Sequence, residues 1–153
     1  MIRRLVDYLI DTNILVRWAN AADPQRPVVL NALAILIGRG DDLKVAAQNM
    51  IEFWVTATRP VANNGLGLSP AQAQPLVGTL TTLFQLIADT PAVFPEWLTL
   101  VTSLGVSGKQ SHDARLAAVM LVANITHILT FNTGDFVRYG SRGILPIDPA
   151  TVQ

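Results

Sequence analysis

Cysteine is absent from the 153 residues, and histidine occurs only at positions 112 and 127. The chain therefore has no disulfide, thiolate nucleophile or zinc–thiolate site, and two imidazoles cannot make a histidine cluster. Oxygen is left as the ligand chemistry for any metal. Net charge is also lacking: 11 Lys and Arg balance 11 Asp and Glu. Without a protein-wide basic field, a polyanion has to be held locally. Lysine is scarce as well, with two Lys against nine Arg, and arginine is the better residue for planar, bidentate contacts to phosphate. Long apolar runs are missing, since no stretch approaches the ~18 apolar residues of a membrane span. The opening Met-Ile-Arg-Arg-Leu-Val-Asp would put Asp7 inside the apolar region that a secretory leader requires. The expectation is a cytoplasmic chain with no membrane partner.

What is present suits one compact unit. Half of the residues are hydrophobic and 14% are charged, enough apolar material for a sizeable core in a single domain spanning residues 1–153. Short β-branched runs alternate with helical patterns. Strands are expected near 5–10, 43–46, 126–130 and 143–147, and helices near 12–20, 26–38, 48–59, 69–88 and 111–124. Such alternation implies an α/β fold of three layers (α/β/α), with a short central parallel sheet and helices on both faces. Ser69-Pro70 reads as a cap followed by proline at the first helical position. Ser111 could cap the helix of Asp113, and Pro146 suggests an edge strand. Residues 60–105 read as a helical excursion with no convincing strand.

Among the eleven acids, four fall where this fold would turn them towards one pocket. Asp11 ends the first strand, at the carboxyl edge where open α/β sheets bind ligands. Asp135 lies in the polar turn Asn132-Thr133-Gly134-Asp135 beyond a later strand. Asp113 heads a helix whose apolar companions are Leu116, Ala117 and Met120. Glu52 sits on the border of a buried stripe formed by Met50, Phe53, Trp54 and Ala57, where a carboxylate is rarely buried unless it is paired or binds metal. Taken singly, each has an ordinary structural reading as a helix cap, a dipole partner, a turn residue or a half-solvated side chain. Four together point to a hard divalent cation.

These residues resemble the PIN domain family of metal-dependent nucleases, in particular its VapC-type toxin branch. Leu9-Ile10-Asp11-Thr12-Asn13-Ile14-Leu15 looks like the opening motif and Glu52 like the helical glutamate. His112-Asp113-Ala114-Arg115-Leu116-Ala117-Ala118 looks like the third acidic motif, and Leu129-Thr130-Phe131-Asn132-Thr133-Gly134-Asp135-Phe136 like the fourth. The resemblance implies a PIN-like α/β/α domain that hydrolyses RNA with Mg²⁺ or Mn²⁺ and is restrained by a cognate antitoxin in a type II toxin-antitoxin pair. Asp11 and Asp113 are the expected direct metal ligands, Glu52 and Asp135 act directly or through water, and either Asn132 or Asp135 completes the site. Thr12, Asn13, Asn132 and Arg59 are expected to touch substrate phosphates. Arg115 is expected to face solvent and His112 to lie exposed beside Asp113. A homodimer is expected through Leu66, Leu68, Phe94 and Trp97. The rival readings are a receiver-like phosphoacceptor, which needs a lysine near a late strand end, and a non-catalytic binding module on the same fold.

Overall fold

A computed structural model describes residues 4–153. Residues 1–3, on which part of the reading of the amino terminus rests, lie outside the described residues. Five strands, β1 (Asp7–Ile10), β2 (Asp42–Ala46), β3 (Gln85–Ile87), β4 (His127–Leu129) and β5 (Leu145–Ile147), form one parallel sheet in the order β3-β2-β1-β4-β5. Six helices connect them: α1 (Thr12–Ala19), α2 (Arg26–Gly38), α3 (Ala47–Thr58), α4 (Pro70–Leu83), α5 (Val93–Leu104) and α6 (Gln110–Val122).

Successive strand residues point to opposite faces, and the two cores follow that alternation. Tyr8, Ile10, Val45 and Leu129 pack with Ile14, Leu33, Phe53 and Leu80 of α1 to α4. Leu9, Ala46 and Ile128 face the other way, onto Val93 and Leu100 of α5 and the Ala114–Met120 stretch of α6. The result is the expected α/β/α sandwich. The chain leaves β1 in one direction to build β2 and β3, then returns to add β4 and β5 on the other side. The switch in direction falls between β1 and β4, which opens a crevice at their carboxyl ends.

Two local expectations change. The helix expected to run to residue 88 stops at Leu83, and Gln85–Ile87 forms β3, pairing with Lys44–Ala46 of β2. The middle third thus contributes an edge strand. No glycine or proline marks that stop, and a three-residue, largely exposed strand is too short to show its own periodicity. Ser111 is not a cap: α6 begins one residue earlier, at Gln110, with no side-chain cap, and the Ser111 carbonyl instead accepts from Trp97 Nε1 at 2.9 Å. The other signals hold. Ser69 Oγ accepts from Gln72 N while Gln72 Oε1 accepts from Ser69 N, a reciprocal capping box, and Pro146 lies in the edge strand β5.

Leu66 and Leu68 pack onto the first core, and Trp97 onto the second; of the four residues expected at a dimer contact, Phe94 alone is largely exposed. The turn that folds Leu66 and Leu68 inward depends on Gly65. A β-carbon there would come within 1.9 Å of the Arg59 carbonyl oxygen, so Gly65→Ala must open the turn. We expect Gly65→Ala to cost about 2 kcal/mol, in the range of overpacking changes, measured by urea denaturation. A cost below about 0.5 kcal/mol would show that the turn adapts freely.

Candidate metal centre and active site

The crevice at the β1/β4 switch is a pocket of about 380 Å³. It is lined by Asp11, Glu52, Asp113, Asn132 and Asp135, together with Thr12, Asn13, Val16, Arg17, Asp23 and Thr56. All four acids singled out in the sequence therefore face one space, as do three of the four residues assigned to substrate. Arg59 is the exception. It closes α3 about two turns beyond Glu52, its Nη2 donates to the Asn64 carbonyl at 3.3 Å, and its buried Nε has no partner among the described residues. Arg59 braces the 60–67 turn. The cation that does line the pocket is Arg17, which pairs with Asp23 at 3.1 Å and lies 4.7 Å over the Phe131 ring.

Asp11 is buried and heavily held. Its Oδ1 accepts from the Thr12 amide at 2.8 Å, capping α1, and its Oδ2 accepts from the Thr130 hydroxyl at 2.8 Å and from Asn13 Nδ2 at 3.2 Å. Capping and site roles thus coincide in one side chain. Burial pushes the Asp11 carboxyl up to about 6; the Thr130 and Thr12 hydrogen bonds oppose this, while Glu52 and Asp135 add to it. Glu52 is gripped from both sides: Oε2 accepts from the Thr12 hydroxyl and Oε1 from Gln48 Nε2, each at 2.8 Å. Thr12 therefore spends its hydroxyl proton on Glu52, and Asn13 divides its amide protons between Asp11 and the Thr130 hydroxyl.

Asp113 stands in the first turn of α6, half-buried. Burial, then the charges of Asp11, Asp135 and Glu52, raise its carboxyl to about 6, and the nearby His112 opposes them. Burial, reinforced by neighbouring acids, thus raises both Asp11 and Asp113. Asp135 is exposed in a one-turn helix (Thr133–Asp135), and Asn132, also exposed, closes the rim with its backbone amide donating to Thr130 Oγ1 at 3.0 Å.

Sequence reasoning missed several supports. Thr130 receives Asn13 Nδ2 and the Asn132 amide while donating to Asp11, so a single buried hydroxyl ties β4 to β1. A lone threonine at a strand end gives no sequence signal for this. Thr130→Val keeps the shape and removes the hydroxyl. We expect it to cost about 1–3 kcal/mol, the penalty for stranding buried polar partners, and to raise the Asp11 carboxyl further. Equilibrium denaturation of Thr130→Val at pH 7 is the check, and a neutral result would mean that these contacts are not made in solution. Arg115 also departs from expectation: it is half-buried and bonds Gln48 and Asp89 rather than facing solvent.

The donor set is all oxygen, and it suits a hard cation such as Mg²⁺ or Mn²⁺. Among the described residues no three His, Asp or Glu side chains stand ready to hold an ion together. Mg²⁺ keeps several waters and needs only one or two direct carboxylates, so residues lining one pocket fit it without forming a closed cage.

The PIN domain family profile matches residues 8–141, and the chain belongs to that family. Its fold is similar to that of several solved structures. VapBC-1 from nontypeable Haemophilus influenzae aligns over 95% of this chain and 100% of that one, with a TM-score of 0.68 and 16% identity. FitAcB from Neisseria gonorrhoeae aligns over 94% and 99%, at 0.64 and 20% identity. VapC20 from Mycobacterium tuberculosis, a toxin that cleaves the sarcin-ricin loop, aligns over 90% and 96%, at 0.65 and 16% identity. No curated protein matches the chain by sequence. Among the described residues no helix is long and apolar enough to cross a membrane.

Proposed function

We propose that this chain is a divalent-metal-dependent endoribonuclease, the toxin of a type II toxin-antitoxin pair. The observation that carries the reading is the convergence of Asp11, Glu52, Asp113 and Asp135 on one pocket at the sheet's switch point, with two of the carboxyls raised to about 6. Family membership and the likeness in fold to VapBC-1, FitAcB and the VapC20 toxin support it.

Asp11 and Asp113 would hold the cation, with Glu52 and Asp135 acting directly or through water. When bound, the metal lowers the pKa of a coordinated water and polarises the phosphoryl oxygens. The protein's own part is to fix the acids and to bind the phosphodiester. Thr12, Asn13 and Thr130 hold Asp11 and Glu52 in place. Asn132 at the rim donates to a phosphate oxygen, and Arg17 places positive charge on the same wall. A receiver-like phosphoacceptor needs a lysine at the pocket, whereas Lys44 is paired with Asp7 at 3.2 Å and the lining cation is Arg17.

The partners in this reading are RNA, a cognate antitoxin and a second copy of the chain. The dimer reading now rests on Phe94 and Leu98, one turn apart on α5, and on Ile51 and Val55, one turn apart on α3, all largely exposed. Sedimentation at micromolar concentration should give a dimer; a clean monomer removes that partner alone. The activity itself is tested by incubating the purified chain with RNA in Mg²⁺ or Mn²⁺, with and without EDTA. Cleavage that EDTA abolishes is expected. Absence of cleavage with both metals, across structured and unstructured RNAs, would leave a binding module on the same fold.

A further inference from the structure

Glu52 is held by more than its own helix. The Gln48 amide, buried one turn earlier on α3, donates through Nε2 to Glu52 Oε1 and to the His112 carbonyl, both at 2.8 Å. Its Oε1 accepts from Arg115 Nη1 at 3.0 Å, and Arg115 Nη2 reaches Asp89 at 3.2 Å in the segment after β3. One buried amide thus links α3, which carries Glu52, to α6 on both sides of Asp113. Both of its amide protons and one of its two lone pairs are committed to that link.

We propose that Gln48 and Arg115 are positioning residues for Glu52, forming a relay that aims its carboxylate at the pocket and fixes α3 against the head of α6. The proposal rests on the metal-dependent reading given above. The geometry distinguishes the relay from ordinary packing. A glutamate side chain at the edge of a helix has three rotatable bonds and would otherwise sweep the pocket mouth. The Thr12 hydroxyl grips one oxygen and Gln48 the other, so removing Gln48 frees half of the carboxylate and leaves the His112 carbonyl without that donor. Arg115 in turn selects the orientation of Gln48: with its Oε1 on the guanidinium, the NH₂ end faces Glu52. The Arg115–Asp89 pair is about two-fifths exposed at both side chains, so its role is to orient Gln48 rather than to stabilise the fold.

Groups that orient metal ligands in this way affect metal affinity and activity by about 10–100-fold. The test is Mn²⁺ binding to the metal-free chain, measured by calorimetry without RNA, alongside RNA cleavage. Gln48→Met keeps the length of the side chain and removes the amide. It should weaken Mn²⁺ binding and lower kcat by about 10-fold or more, with KM little changed. In a Glu52→Ala background, Gln48→Met should have no further effect on Mn²⁺ affinity, because the relay then has nothing to position; equal effects in both backgrounds would overturn the proposal. Arg115→Ala, on a partly exposed side chain that leaves the core intact, covers the case in which Gln48→Met fails to fold. It should weaken Mn²⁺ binding severalfold, with Arg115→Lys recovering part of the loss. Wild-type Mn²⁺ affinity in both Gln48→Met and Arg115→Ala would remove the relay and leave the nuclease reading standing, whereas a wild-type chain that binds no Mn²⁺ and cleaves no RNA would remove both.

Discussion

Asp113→Asn should abolish RNA cleavage while leaving the metal-free protein at least as stable as the wild type. A change of one oxygen for an NH₂ removes a charge and hardly any volume. Asp113 has the environment in which such a change is tolerated by the fold. Its carboxyl is raised to about 6 by burial first and then by Asp11, Asp135 and Glu52, and only the charge of His112 opposes them. Asp11 differs, because the Thr130 and Thr12 hydrogen bonds work to keep it ionised. Ionised Asp113 is therefore a net strain on the apo structure at neutral pH. Asparagine should relieve about 1 kcal/mol of it, a figure kept small because one side of the residue meets solvent. Cleavage should fall by about 10²–10³-fold or more, the scale seen when a preorganised electrostatic group is taken from a site. Single-turnover cleavage with saturating Mn²⁺ and melts in EDTA measure the two halves separately. If Asp113→Asn melts well below the wild type in EDTA, Asp113 is a structural acceptor and its assignment to the metal fails.

The legible parts of this chain were those in which chemistry and periodicity coincide. Asp11, Glu52, Asp113 and Asp135 could be found because each sits at a fixed offset from an apolar pattern: a strand end, a helix border, a helix head and a turn. The alternation of short apolar runs with helices revealed the parallel sheet for the same reason, since the two hydrophobic periods differ. β3 stayed hidden because Gln85–Ile87 is too short for alternation and continues an apolar helix without a breaking residue. Gln48, Thr130 and Arg17 stayed hidden for a different reason. Polar residues on helix faces and at strand ends are common, and what makes these three part of the site is a partner 64, 119 or 114 positions away. Arg59 shows the converse error. A cation on the Glu52 face of α3 lies several residues further along the axis, and at 1.5 Å rise per residue it is carried past the pocket to the turn that it braces. Leu66, Leu68 and Trp97 looked like interface residues because the catalytic fold does not need their segment; the segment instead covers its own core.

Metal-free protein should lose stability as pH rises from about 4.5 to 6.5, and Mn²⁺ should reverse that loss. The sign follows from Asp11 and Asp113, each raised from 3.8 to about 6 in the folded chain. Between those values the unfolded chain has released both protons while the folded chain still holds them. Stability from these two groups is therefore fully present below about pH 4 and is lost as pH climbs through 6. Each tenfold difference in proton affinity between the folded and unfolded chain corresponds to about 1.4 kcal/mol; allowing for solvent at Asp113, the two groups together should contribute a decline of about 2–4 kcal/mol. A divalent cation binds the ionised form and supplies the missing positive charge. At about 100 times its Kd it adds about 2.7 kcal/mol to the folded state, enough to flatten or invert the decline at pH 7. Urea denaturation midpoints at half-unit steps from pH 4.5 to 7.5, in EDTA and in Mn²⁺, give both curves. A metal-free curve that rises steadily across this range would mean that Asp11 and Asp113 titrate as ordinary exposed acids and that the four carboxylates do not share a pocket in solution; equal curves with and without Mn²⁺ would mean that they share it without binding the ion.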